Sequence, residues 1–233
     1  MSLLDAVRWG GVIPDITAPQ ATKKRYSEVL SKALAEELAE ALRSIGFRGV
    51  RPSRGGPGDK EFQGGLGPMR VDISFSDERH GLLLAISVKT ICFRPYGKNL
   101  KNRFGDLCTE AITLHMRFPY SVVCAIFAMP GEAHLDATAL RRMSTFQRAS
   151  MLLGTITGRA DHASAGERFE DVMMLLFQPL RRAGDESWIR LYAADRSGEL
   201  RELTEDEYIR RVRDIYNARN PHAQIGTDAL LEE

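Results

Sequence analysis

Between residues 69 and 91 the chain first alternates and then becomes almost wholly apolar. Met69, Val71, Ile73 and Phe75 fall on one side of an extended segment, with Asp72 and Ser74 on the other. That is the two-residue period of a half-buried strand over 69–76. After a turn at 77–81, residues 82–91 read Leu-Leu-Leu-Ala-Ile-Ser-Val-Lys-Thr-Ile. A near-continuous apolar run predicts a strand covered on both faces, central in its sheet. The two segments together propose a hairpin.

On either side the period changes to that of a helix. Leu30, Leu34, Leu38, Ala41, Leu42 and Ile45 predict a helix over 24–46, stopped by Gly46. Residues 47–51 predict a short first strand. A loop dense in Gly and Pro follows, up to Pro68; a loop that long inside a compact domain is usually functional or mobile. Residues 94–103 read as a basic loop. Leu107, Ala111, Ile112 and Leu114 predict a helix over 105–117, ended by Pro119. Residues 120–129 predict another buried strand, and the intervening helix makes it parallel to the strand before. Helical patterns follow over 138–157 and 167–178, then a strand over 188–193 and a charged amphipathic helix over 204–218. Residues 1–22, interrupted by Pro14 and Pro19, read as a loosely packed arm. The expected organisation is an arm (1–22), a core (23–130) and a C-terminal extension (131–233) packed on that core.

Composition narrows the class without naming a function. The 233 residues are 43% hydrophobic and 27% charged, in the range of an ordinary globular protein. No apolar run reaches membrane-spanning length and the first residues lack a secretory pattern, so a cytoplasmic protein with no membrane contact is expected. Cys92, Cys108 and Cys124 are odd in number and widely spaced, which argues against a zinc site or a disulfide framework. The net charge of +1 argues against coating nucleic acid by bulk charge, though not against a local basic groove.

The candidate chemistry lies in the proposed hairpin. Ser87 and Lys89 are two apart and share one face of their strand. An ammonium group in an apolar strand is costly to bury unpaired, so it needs an anion or a wet cleft. Asp72, on the neighbouring strand and pointing away from that strand's apolar set, is the expected partner.

These residues and the order of elements resemble the core of the PD-(D/E)XK, or restriction-endonuclease-like, nuclease superfamily. The matching residues are Pro68-Met-Arg-Val-Asp72 and Ser87-Val-Lys89, and the likeness covers roughly residues 24–130. The runs Ser-Val-Lys-Thr-Ile-Cys-Phe-Arg (87–94), Lys-Asn-Leu (98–100) and Glu-Ala-Ile-Thr-Leu-His-Met-Arg-Phe-Pro-Tyr (110–120) resemble uncharacterised restriction-endonuclease-like proteins more closely. The resemblance implies an α/β fold with the core order helix-strand-strand-strand-helix-strand. Its mixed central sheet would be flanked by helices, with a helical and mixed C-terminal extension. It also implies a DNA endonuclease of restriction or defence type that hydrolyses phosphodiester bonds with Mg²⁺ or Mn²⁺. Asp72 would hold the metal, and Lys89 would help activate the attacking water and steady charge on the phosphate.

The sequence departs from the pattern at Ser87, where Asp or Glu is expected; a hydroxyl is a poorer magnesium ligand than a carboxylate. Some members of the superfamily take the acid from the first helix. Glu37 is then the first candidate as second metal ligand, Glu40 the second, and Asp106 with Glu110 the third. Without a replacement, the chain would be a catalytically inactive nuclease-fold module that binds nucleic acid or serves a structural role. Arg94, Lys98, Lys101 and Arg103 follow the site directly and are the candidate phosphate-binding residues. Paired cuts on a duplex call for two-fold symmetry, so a homodimer is a further expectation.

Overall fold

The computed structural model of the protein describes residues 2–226. The fold is α/β, built on a six-stranded mixed sheet with helices on both faces. The sheet is ordered β3 (Ile73–Asp77), β4 (Gly81–Thr90), β5 (Val122–Pro130), β6 (Asp171–Phe177), β7 (Ile189–Ala194) and β8 (Leu200–Leu203). The β4–β5–β6 centre is parallel, and the outer pairs are antiparallel. Every residue of β5 and of β6 is buried, as the two-sided cover of a parallel centre requires.

Alternation along β4 decides what each face meets. Leu84, Ile86 and Val88 pack into a core shared with α1 (Leu3–Trp9), α2 (Gln20–Ser44) and α5 (Glu205–Arg219). Ala85 points the other way, into a core shared with α3 (Tyr96–Arg117) and α4 (Thr145–Thr155). Ser87 and Lys89 keep the parity of Ala85 and so lie on the α3 side. A separate two-stranded hairpin, β1 (Lys60–Gln63) with β2 (Pro68–Val71), covers part of that side through Phe62 and Val71.

Several elements differ from the sequence expectation. The strand expected at 69–76 is broken at Asp72: β2 pairs with β1, β3 pairs with β4, and Asp72 is the bend between two sheets. Residues 47–51 are not a strand; Gly49 takes φ +85° in a turn, and only Arg51 touches the sheet, bridging Ser74. Strand β1 instead comes from inside the Gly-rich segment. The basic segment 94–103 is a loop only as far as Pro95 and then forms the first two turns of α3, because Tyr96, Leu100, Leu107, Ala111 and Leu114 make one buried stripe.

The helix expected over 138–157 is confined to Thr145–Thr155, where Ser144 and Gln147 close a reciprocal capping box. Residues 167–178 are not helical but supply β6. Their run of Met and Leu has good helix propensity, yet a short apolar run carries no decisive period, and burial between β5 and β7 prevails. Residues 1–22 are not a loose arm throughout: Leu3, Ala6 and Val7 of α1 are fully buried against α2. Residues beyond 130 supply three of the six sheet strands as well as α4 and α5. No helix among the described residues is long and apolar enough to cross a membrane. All three cysteines are free thiols, with Cys92 and Cys124 buried.

Candidate active site

Strand β4 carries Ser87 and Lys89 toward α3, and the side chain they meet is Glu110. Its Oε2 accepts a hydrogen bond from Ser87 Oγ at 2.6 Å, and its Oε1 accepts from Lys89 Nζ at 2.5 Å. The Lys89 and Glu110 side chains are only 14% and 15% exposed, so the pair is half-sunk in protein where charge is weakly screened. Glu110 is positioned by Leu107, Ala111 and Leu114, which anchor its helix on the sheet.

Asp72 approaches the same strand from the bend between β2 and β3. Its Oδ2 accepts from the Val88 N–H at 2.8 Å, its one hydrogen bond among the described residues. Burial pushes the Asp72 carboxyl above its ordinary value; Lys89 and the Val88 N–H oppose the shift, and the negative charges of Glu110 and Asp59 add to it. A buried carboxylate with two further acids near enough to repel it is a place where a cation gains energy.

The remaining sequence candidates fall elsewhere. Glu37 is not brought to Asp72. Its Oε1 is held by Arg54, its Oε2 accepts from the Ser2 N–H at 3.3 Å, and with Asp5, Arg8 and Trp9 it lines a separate depression. The reason is rotational: Glu37 lies on the flank of α2 that faces α1, whereas another flank faces the end of β4. Glu40 is tied to Arg43 at 2.5 Å and Asp106 to Arg103 at 3.1 Å. The acid beside Lys89 is therefore Glu110, expected only as a third option. The signal that could have favoured it is its spacing, three residues after Leu107 and four before Leu114, at the edge of the buried stripe of α3.

Asp72 and Lys89 open onto a cleft of about 720 Å³ at the C-terminal end of β4. Arg94, Lys98 and Arg103 line it, whereas Lys101 is exposed outside its lining. Arg94 donates to Glu132 at 3.0 Å and stands over the Tyr96 ring. The opposite wall is α2, whose lysines were not among the sequence candidates. Within the lining Ser31 meets Thr90, hydroxyl to hydroxyl at 3.2 Å, and the Phe93 ring packs edge to face on the buried Tyr26.

Among the described residues no three His, Cys, Asp or Glu side chains converge as a metal cluster. Magnesium does not require one: it is commonly held by one or two carboxylates, with water and substrate phosphate completing its shell. Asp72 has an oxygen without a hydrogen-bond partner among the described residues, while both Glu110 oxygens are engaged by Ser87 and Lys89. Comparison with protein-family models, curated proteins and solved structures returns no match to this chain.

Proposed function

We propose that this chain is a metal-dependent DNA endonuclease with a restriction-endonuclease-like core, of restriction or defence type. The observation that carries the reading is the Glu110 carboxylate joined to both Ser87 and Lys89, with Asp72 within charge reach across β4. Glu110 restores from α3 the acidic oxygen that Ser87 lacks. The run β3, β4, α3, β5 and the cations around the cleft support the same reading, although only two sheet strands, not the three expected, stand between α2 and α3.

Asp72 and Glu110 would hold Mg²⁺ or Mn²⁺, which when bound supplies a more acidic water and a counter-charge for the phosphate. Lys89 would set its ammonium against a phosphate oxygen. Ser87 holds Glu110 in place by its hydroxyl. The Val88 N–H fixes the orientation of Asp72. Burial of these groups strengthens each of these interactions.

A second reading is favoured by one specific observation. Both Glu110 oxygens are already satisfied by protein groups, as in a nuclease fold retained only for nucleic-acid binding or structure. Purified protein incubated with Mg²⁺ or Mn²⁺ and DNA separates the two. The endonuclease reading expects cleavage that Lys89→Ala abolishes. Equal cleavage by parent and variant would refute the site, and calorimetry without Mn²⁺ uptake, free or DNA-bound, would favour the inactive module.

A further inference from the structure

The cleft is far more basic than the molecule. The whole chain carries a net charge of only +1. Yet Lys23, Lys24 and Lys32 of α2 line the cleft together with Lys89 of β4, Arg94, and Lys98 and Arg103 of α3. Only Glu28, Asp59 and Asp72 oppose them within the lining. The wall formed by α2 is a helical stripe: Lys23, Lys24, Ser27, Ser31, Lys32 and Ala35 recur at helical spacing and all line the cleft. The small side chains Ser27, Ser31 and Ala35 are interspersed among the three lysines and Glu28 on this stripe.

These lysines are weakly engaged. Lys24 stands 3.6 Å from Glu28 and Lys32 4.0 Å from Glu36, both as exposed helix-surface pairs. Lys23 donates to the Ile16 carbonyl. Lys98 has no carboxylate partner among the described residues. Exposed pairs of this kind contribute little and are readily exchanged for a stronger anion.

Resting on the phosphodiesterase reading above, we infer that α2 is a substrate-binding wall. Lys23, Lys24 and Lys32, with Lys98 and Arg103 opposite, grip successive phosphates of a polynucleotide strand and feed one of them to Asp72 and Lys89. The span decides the ligand class. Lys23 and Lys32 are nine residues apart, about 13 Å along a helix at 1.5 Å per residue. A single nucleotide or phosphomonoester presents its charge at one point and cannot engage both ends. A strand with several phosphates can.

The test is the salt dependence of binding, measured in EDTA so that no cleavage occurs. A fluorescein-labelled 20-nucleotide DNA, single-stranded and as a duplex, is titrated by anisotropy from 50 to 200 mM NaCl. Each phosphate neutralised contributes about 0.7 (single strand) to 0.9 (duplex) to the slope of log K against log salt. Lys23→Ala/Lys24→Ala/Lys32→Ala should lower that slope by about 2 with at least one of the two forms. Arg48→Ala/Arg79→Ala/Arg201→Ala removes equal charge from outside the cleft and should leave the slope nearly unchanged. Thermal unfolding followed by circular dichroism shows whether each variant folds; if the triple lysine variant does not, the three single variants should each lower the slope by about 0.7 to 0.9.

An unchanged slope in the folded lysine variants overturns the inference, as does an equal loss in the arginine control. If the parent still cuts DNA in that case, the nuclease reading stands and only the role of α2 falls. A parent that neither binds nor cuts either form overturns both.

Discussion

Glu110, on α3, holds the Lys89 ammonium of β4 at 2.5 Å, while its second oxygen holds Ser87. On the proposed reading, a residue 21 positions downstream stands in for the acid that the resemblance expects two positions before the lysine. Replacing Glu110 by Ala removes the one carboxylate paired, among the described residues, with a nearly buried ammonium. Truncating one partner of a buried pair costs about 3–5 kcal/mol, and incomplete burial here sets the expectation near the lower end, about 3 kcal/mol. Urea denaturation checks this; a loss under about 0.5 kcal/mol, the level of an ordinary surface change, would mean that the pair is solvated.

Asp72→Asn is expected to act in opposite directions on stability and activity. The folded-state value of Asp72 is raised by burial and by the repulsion of Glu110 and Asp59. A raised carboxyl contributes stability below its ordinary 3.8 that is lost as pH rises through the higher folded value, so the ionised group is a burden at pH 7. Asparagine still accepts from the Val88 N–H and never ionises. The variant should therefore be more stable than the parent at pH 7 while losing metal-dependent cleavage, a trade common at functional sites. A variant less stable than the parent at pH 7 would contradict the electrostatic account.

How much of this was legible in the sequence follows from the kind of signal each part carries. Strand β4, helix α2 and the parallel placement of β5 were readable because long apolar runs and long helical stripes report burial directly. Lys89 drew attention because a charged residue inside such a run needs a reason, and Asp72 because it stands on the neighbouring segment facing away from its apolar set. Glu110 was named only as a third option, with Asp106, because only the packing of α3 on β4 brings it to Ser87 and Lys89. Glu37 looked better placed because a helical wheel tells inside from outside and not which neighbour a flank meets. Strand β6 was missed because Val-Met-Met-Leu-Leu-Phe carries no period, and Asp171 at its start is tolerated only because Arg211 binds it by two hydrogen bonds at 2.9 and 3.0 Å.

Acid sensitivity should centre on Glu170, at the entrance to β6. It accepts from Arg159 at 2.8 Å, from Arg219 at 3.1 Å and from the Val123 N–H at 2.8 Å, with His115 at 3.6 Å. Burial alone would raise this carboxyl, but His115, the Val123 N–H and Arg159 outweigh it and hold it below its ordinary 4.5. A depressed carboxyl contributes stability above 4.5 that is lost as pH falls through the lower folded value. Glu170→Ala leaves two guanidinium groups without their shared anion and should cost about 3–5 kcal/mol at pH 7. Denaturation at stepwise lower pH should show a shallower acid loss in the variant than in the parent; parallel curves would refute the assignment.

Glu37→Gln tests the rejected alternative. Its partners are Arg54 and the Ser2 N–H, away from the cleft, so cleavage should stay within about threefold of the parent, a barrier change of less than about 1 kcal/mol. A hundredfold loss would return Glu37 to the metal site.

The most direct test of the account is a cleavage assay in Mn²⁺ comparing the parent with Glu110→Gln. The amide still accepts from Lys89 and keeps the size of the side chain, but it cannot supply an anionic ligand. The predicted result is clear cleavage by the parent and at least a hundredfold loss, about 2.7 kcal/mol in barrier, in a variant that remains folded. Cleavage by Glu110→Gln at the parent's rate would contradict the claim that this carboxylate is the second acid of the site.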